Sequence, residues 1–255
     1  MARPIANLLP LAALAVAGFC VWRWLAPRAL AAFVPGEQRI ADARKARGGI
    51  LRERCAALGL TYPPREIFAR AFKHEAQLEV WTREDAGPFR LWHTYPVLAS
   101  SGGPGPKRRS GDRQVPEGFY RIDRFNPESR FHLSLGLDYP NAADRLHSDR
   151  DQPGGDIFIH GKDVTIGCLP LGDAAIEELY LLALDTRQRG QQTIHIHIFP
   201  ARMAGERWDE FRARHSAALR RFWAQLQPAF DGFERTKRVP KISVDSAGRY
   251  VVAKE

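Results

Sequence analysis

Near Arg65 the hydrophobic period of the chain changes, and that change limits what it can fold into. Before it, Ile40, Ala43, Ala46, Ile50, Leu51, Cys55 and Leu58 recur near the helical period with charges between them, which predicts a helix over 37–58. Gly48-Gly49 is expected to break or kink that helix. After it the apolar residues alternate. Residues 67–72 and 78–82 read as strands joined by a turn at 73–77, and 89–97 as the next strand. Further strands are predicted at 119–122, 130–135, 157–160 and 193–199. The stretches 100–117 and 138–155 are rich in turn residues, the second reading as a surface loop. Two helices are predicted, one over 173–190 with Asp173 as its N-cap, the other over about 208–226. Residues 239–253 read as a small hairpin or tail. Successive strands with few intervening helices argue for a mainly β, α+β domain with helices packed outside.

The amino terminus stands apart. Arg3 gives a positive start, and 8–22 runs without a charge, bounded by turn signals at Pro10, Pro27 and Pro35-Gly36. We read 1–35 as an export segment, kept as a membrane anchor or cleaved near Ala29-Leu30-Ala31. Export places the chain on the periplasmic side of the cell envelope, where thiols are oxidised. The remaining boundaries are a helical lead-in at 36–64, a catalytic domain at 65–202, and a helical extension and tail at 203–255 packed on that domain. Hydrophobic residues at 44% and charged residues at 26% exclude disorder, collagen and a multi-span membrane protein for the bulk of the chain. Three cysteines are too few for a disulfide scaffold or a four-cysteine zinc module. Cys20 falls in the export segment, and Cys55 lies on the apolar side of its helix as a small buried hydrophobe. The net charge of +9 suggests an anionic partner, although the excess is mostly arginine and codon composition also produces that bias.

The segment from Ile159 to Cys168 carries the chemistry. It sets His160 at the end of a buried-looking strand and a thiol eight residues later, after a loop flanked by Gly161 and Gly167. A thiol attacks carbonyls as thiolate, and a neighbouring imidazole can take its proton. Gly167 lets backbone approach closely, so the amides around Gly167 and Cys168 are candidate donors to an oxyanion. From local sequence alone, a buried free cysteine near an unrelated histidine is an equal reading.

His160-Gly161 followed by Thr165-Ile166-Gly167-Cys168 resembles the L,D-transpeptidase catalytic domain of the YkuD type, and more closely its YafK-like branch. The same branch is matched by Phe72-Lys73-His74-Glu75 with Leu78-Glu79-Val80-Trp81, and by the run from Gly105 to Gln114 with Pro116-Glu117-Gly118-Phe119-Tyr120. Phe222-Trp223, Gln225-Leu226, Pro228 and Phe233-Glu234 also fit it. The resemblance implies a mixed β-sandwich carrying a Cys/His site. It makes Cys168 the nucleophile and His160 the base, with Gly161, Gly167 and Thr165 framing the site. It further implies an acyl-thioenzyme formed on peptidoglycan stem peptides, next to the diamino acid, with no cofactor and no metal. The YafK-like branch is associated with hydrolysing the amide between a lipoprotein lysine and meso-diaminopimelate. The alternative is transpeptidation, by cross-linking or lipoprotein attachment. In the commoner branch the His-to-Cys spacing is longer, a His precedes the Gly-Cys pair and an Arg follows it; here Ile166 and Leu169-Pro170 stand in those places. Lys107, Arg108, Arg109 and Arg113 lie in the loop that the resemblance sets near the cleft, and are candidates for the substrate's carboxylates.

Two rivals remain. His195-Ile196-His197 puts two imidazoles on one strand face, a possible metal pair with His160 or Asp163 for a zinc peptidase. Without HExxH, packing or a polar edge is the reading we adopt for them. Nucleic-acid binding rests on charge alone and is contradicted by the export segment. A non-catalytic envelope scaffold would have no need of a reactive thiol.

Overall fold

The structure, a computed structural model, describes residues 35–253. The proposed export segment, with Cys20, lies outside the described residues up to position 34. Among the described residues no helix is long and apolar enough to cross a membrane.

The first helix, α1 (Pro35–Ala57), runs unbroken through Gly48-Gly49, against expectation. Each glycine costs a helix about 1 kcal/mol relative to alanine. Burial of Ala43, Leu51 and Cys55 offsets that cost, since one buried leucine contributes roughly 1.5–3 kcal/mol. The helix is also laced to the helix that follows the Gly161–Cys168 loop, α3 (Asp173–Gln188), by Arg44 to Asp185 at 2.6 Å, Arg47 to Glu177 at 2.8 Å, and Arg54 to Glu178. Cys55 is fully buried here, and burial pushes its thiol pKa up, as suits an inert packing residue.

Eight strands form one curled sheet: β1 (Glu66–Phe72), β2 (Gln77–Arg83), β3 (Arg90–Pro96), β4 (Gly118–Asn126), β5 (Ser134–Leu137), β6 (Phe158–His160), β7 (Leu169–Pro170) and β8 (Ile194–Phe199). Their order is β3-β2-β1-β8-β4-β5-β6-β7, antiparallel except where β1 meets β8 and β6 meets β7. Ile194, Ile196 and Ile198 join Leu135, Leu137 and Ile159 in the core beneath α3. The intervening His195 and His197 fall on the opposite face, as the two-residue period requires. That second face is covered in part by α4 (Gly205–Ala213) and α5 (Ala217–Thr236), through a cluster of Phe72, Phe199, Trp208, Trp223 and Phe230. The hairpin β9 (Ile242–Val244) and β10 (Tyr250–Val252) follows α5.

Beyond α1, four elements differ from the sequence expectation. Residues 130–133 form a turn, and β5 begins only at Ser134. The side chains of Asn126 and Ser129 accept from the amides of Glu128 and Phe131, and His132 takes a left-handed φ of 73°. The supposed surface loop 138–155 contains α2 (Ala142–His147), started by a capping box in which Asn141 and Asp144 exchange side-chain and backbone bonds. The single helix expected over 208–226 is two helices, α5 being started by the Ser216 hydroxyl, which accepts from the Leu219 amide. The second continues past Pro228 because Leu226, Ala229, Phe230 and Phe233 keep an apolar stripe buried. Lastly, Gly172 occupies the N-cap of α3, and Asp173 is the helix's first residue.

Candidate active site

Strand β6 ends at His160 because Gly161 follows it in a space no other residue fits. A Cβ there would lie 2.5 Å from Asp173 Oδ1 and 2.6 Å from the Phe131 carbonyl oxygen. The Gly161 amide donates to the carbonyls of Phe131 at 2.9 Å and Leu133 at 3.2 Å, pinning the turn before β5 against the site. His160 is only 2% exposed, and the Phe131 ring covers it at a centroid distance of 4.7 Å. His160 Nδ1 lies 2.5 Å from the Gly161 carbonyl oxygen. A carbonyl accepts only, so Nδ1 carries the proton and Nε2 is left as the basic nitrogen.

The other half of the site comes from β7. Ile159 stands opposite Leu169 and His160 opposite Pro170. Extending that register by one pair sets Cys168 beside Phe158, on the same face as His160. The Phe158 amide donates to Cys168 Sγ at 3.4 Å, and the thiol lies 3.6 Å from the Asp156 carbonyl oxygen, which accepts its proton. Among the described residues no hydrogen bond joins the thiol to the imidazole, which is common in sites that tighten only around substrate.

Burial sets the resting protonation state. It pushes the Cys168 thiol above its ordinary value, although the Phe158 amide and the more distant Lys107 ammonium oppose it. Burial also pushes His160 down, partly countered by the Gly161 carbonyl. Both shifts favour the uncharged form, so the resting site holds a neutral thiol and a neutral imidazole rather than an ion pair.

Thr165 organises the loop between them. Its hydroxyl oxygen accepts from the amides of Gly167 at 3.1 Å and Cys168 at 2.7 Å, and donates to the Cys168 carbonyl at 2.8 Å. The two amides named as oxyanion donors thus converge on a single oxygen. Gly167 has φ 133°, and a Cβ on it would meet the Gln114 carbonyl oxygen at 3.0 Å. That contact brings the loop between β3 and β4 against the turn that carries Cys168.

Within that loop the four candidate cations separate. Lys107 is buried, paired with Asp112 at 2.6 Å and donating to the Arg109 carbonyl at 2.9 Å. Burial alone would raise the Asp112 carboxyl, but Lys107 and the amides of Arg108, Arg109 and Gln114 outweigh it and bring it down to about 2. Arg108 reaches Asp144 at 3.4 Å and lies over the Phe222 ring. Arg109 and Arg113 are exposed and face solvent. The loop's base is held by a buried ion pair, Lys73 to Glu117 at 2.9 Å. Lys73 also donates to the carbonyls of Gly105 and Val115, while Glu117 accepts from the Gly105 amide and the Trp223 indole.

The His195–His197 pair does not meet His160 or Asp163. Among the described residues no three His, Cys, Asp or Glu side chains gather as a metal-holding group. His197 is wedged between the rings of Phe68 and Phe119, each 4.7 Å away. Two participants were invisible to sequence reasoning. Phe131 carried no signal at all, and Asp156 acts through its carbonyl, which any residue would supply.

Residues 73–196 match the family model of the L,D-transpeptidase catalytic domain, YkuD. The chain is also 35% identical over 191 residues to YafK of Escherichia coli strain K12, covering 74% of each protein; the name of that relative places it provisionally among the L,D-transpeptidases. The chain belongs to the L,D-transpeptidase family. YafK of Escherichia coli O157:H7 matches to the same extent. Among solved structures, the helical cell shape determining protein Pgp2 from Campylobacter jejuni superposes with a TM-score of 0.43 at 18% identity, covering 71% of this chain and 73% of that one. Bd1075 of Bdellovibrio bacteriovorus gives 0.38 at 22% identity, over 68% and 61%. Both His160 and Cys168 lie within the matched catalytic domain. L,D-transpeptidases are enzymes of peptidoglycan, acting on its stem peptides.

Proposed function

We propose that this L,D-transpeptidase cuts an amide at the diamino acid of stem peptides, and that its natural bond is the one joining murein to a lipoprotein lysine. The observation that carries the catalytic part is the placement of Cys168 and His160 on one sheet face, with the Gly161 carbonyl fixing the imidazole tautomer. As substrate seats, Nε2 of His160 takes the thiol proton and Sγ attacks the carbonyl carbon. The resulting oxyanion displaces the Thr165 hydroxyl from the amides of Gly167 and Cys168, being a stronger, charged acceptor. The imidazolium then gives its proton to the leaving amine, and the C–N bond breaks to leave a thioester. Water, deprotonated by the same imidazole, releases the acid and restores the thiol.

Arg109 and Arg113, the exposed members of the basic loop, receive the substrate's free carboxylates. Hydrolysis is favoured over cross-linking because Ile166, Leu169 and Pro170 replace the His and Arg that flank the nucleophile in the commoner branch. The reaction takes place on the periplasmic side of the envelope, with residues 1–35 as the export or anchoring segment. Incubating the protein with purified sacculi and reading the products by mass spectrometry tests this reading. Released lipoprotein or trimmed stems with no new bond are expected. New diaminopimelate–diaminopimelate cross-links would overturn hydrolysis in favour of transfer.

A further inference from the structure

The sheet face that carries His160 and Cys168 continues across β5 onto β4 and β8. There it forms the floor of a groove of about 920 Å³, flanked by the segment from Arg238 to Ala253. The register of β4 on β8 sets Phe119 beside His197 and Arg121 beside His195, so all four share this floor. A bulge between Ile122 and Arg124 returns Arg124 to the same face. Arg124 lies over the Phe158 ring and pairs at 3.0 Å with Asp156, whose carbonyl accepts the Cys168 thiol. Groove and catalytic site therefore lie along one sheet face.

The charges of the groove do not balance. Its two acids already have arginines: Asp138 takes the backbone amide and guanidinium of Arg121 at 2.7 and 2.9 Å, and Glu66 takes Arg83 at 2.7 Å. Arg238 donates to a neutral partner, the Ala86 carbonyl, at 2.6 Å, and Lys241 has no ion pair among the described residues. Two exposed cations are left without a carboxylate partner among the described residues, an arrangement that suits an anionic ligand. The floor adds one buried polar atom without a partner. His197 is 1% exposed, lines the groove, and has a buried Nδ1 with no hydrogen bond. A buried polar atom left unpaired costs about 1–3 kcal/mol, a cost that a bound ligand or water relieves. Burial keeps both His195 and His197 neutral, so they add hydrogen bonds to the site rather than charge.

We propose that this groove is a second, non-catalytic site that binds a carboxylate-bearing stem peptide of the wall polymer, gripped by Arg238 and Lys241 over a floor of His195 and His197. The volume lies at the upper end of ordinary ligand pockets, about 300–1,000 Å³, room for a short peptide. This assignment of ligand rests on the peptidoglycan reading above. Holding one stem in the groove while another is cut keeps the protein on its polymer and raises the local concentration of scissile bonds.

The test uses full-length protein with Cys168→Ala, histidines labelled for NMR, and a soluble disaccharide–tetrapeptide as probe. The ring signals of His195 and His197 are expected to shift saturably together with that of His160. In Arg238→Glu/Lys241→Glu the groove signals are expected to need at least tenfold more probe, with the His160 shift retained. The same probe with amidated carboxylates should leave the groove signals still in the unaltered groove, a control that does not depend on the double variant folding. Movement of His160 alone would overturn the groove and leave the catalytic reading standing. Movement of the groove signals alone would support the groove and count against the catalytic reading. An equal groove shift with inorganic phosphate would overturn the assignment to a stem peptide.

Discussion

The loop between β3 and β4 touches two pairs that are built in opposite ways. At its base, Lys73 and Glu117 form an ion pair of which Glu117 is wholly buried, with two carbonyls, an amide and an indole completing their hydrogen bonds. At the other contact, Gln114 leans on Gly167 beside Cys168, whose sulfur has one long amide bond and one carbonyl. His160, its counterpart, has one carbonyl. The first pair is saturated and holds its position. The second is uncharged and sparsely bonded, so its proton and its sulfur can move when substrate arrives. On the proposed mechanism, rigidity is concentrated one step away from the chemistry, where it positions the reacting groups without tying them down.

Breaking the saturated pair should have the largest effect. Lys73→Met leaves a carboxylate buried without its cation and should cost about 3–5 kcal/mol of stability, read as a lower urea midpoint with an unchanged slope. Lys73→Met/Glu117→Leu, which removes both charges, should recover much of that loss. A single variant as stable as the parent would show that the pair does not anchor the loop.

The neutral pair makes a prediction in pH. Acylation needs an imidazole free to accept and a thiol proton to pass on to the leaving amine. Because burial lowers His160 below its ordinary 6.5 and raises Cys168 above its ordinary 9.0, the rate should be flat through neutrality. It should fall in acid below 6.5, as the imidazole protonates, and in alkali above 9.0, as the transferable proton is lost. A resting ion pair would instead give an acid limb set by a depressed thiol. His160→Gln should lower the acylation rate by about 10²–10⁴-fold and remove the acid limb, with little change in stability.

Thr165→Val sharpens the contrast with the smallest effect. It keeps the shape of the side chain but takes the acceptor from the two converging amides, a cost of about 1–3 kcal/mol in stability. Since the oxyanion itself displaces the hydroxyl from those amides, its removal should not raise the barrier from bound substrate. A rate loss of the size seen for His160→Gln would mean that the hydroxyl itself takes part.

Much of this contrast was legible in the sequence, though unevenly. Period located β1, β2, β8 and α3, because each buries most of its apolar positions, and it also located β3, where only Trp92 and Tyr95 are buried. The six-residue α2 was missed because it is too short to show a period, although Asn141 and Asp144 spelled its capping box. The extent of α5 was missed because Pro228 reads as a stop, and tertiary burial overrode it. His160 and Cys168 were singled out by spacing and by the resemblance, and the strand register sets them on one sheet face. The role of Lys107 was not, since a lysine in a polar loop looks solvated until Asp112 is seen to fold back on it. Glycines gave a truer signal. Gly161 and Gly167 marked backbone contacts that no side chain could share.

The most direct test of the account is to quench a reaction with a diaminopimelate-containing stem peptide in acid and weigh the intact protein. The account predicts a mass increase equal to the acyl fragment, labile to hydroxylamine, mapped by digestion to Cys168 and absent from Cys168→Ala along with all turnover. Continued product release by Cys168→Ala, or an adduct carried on Cys55, would contradict it.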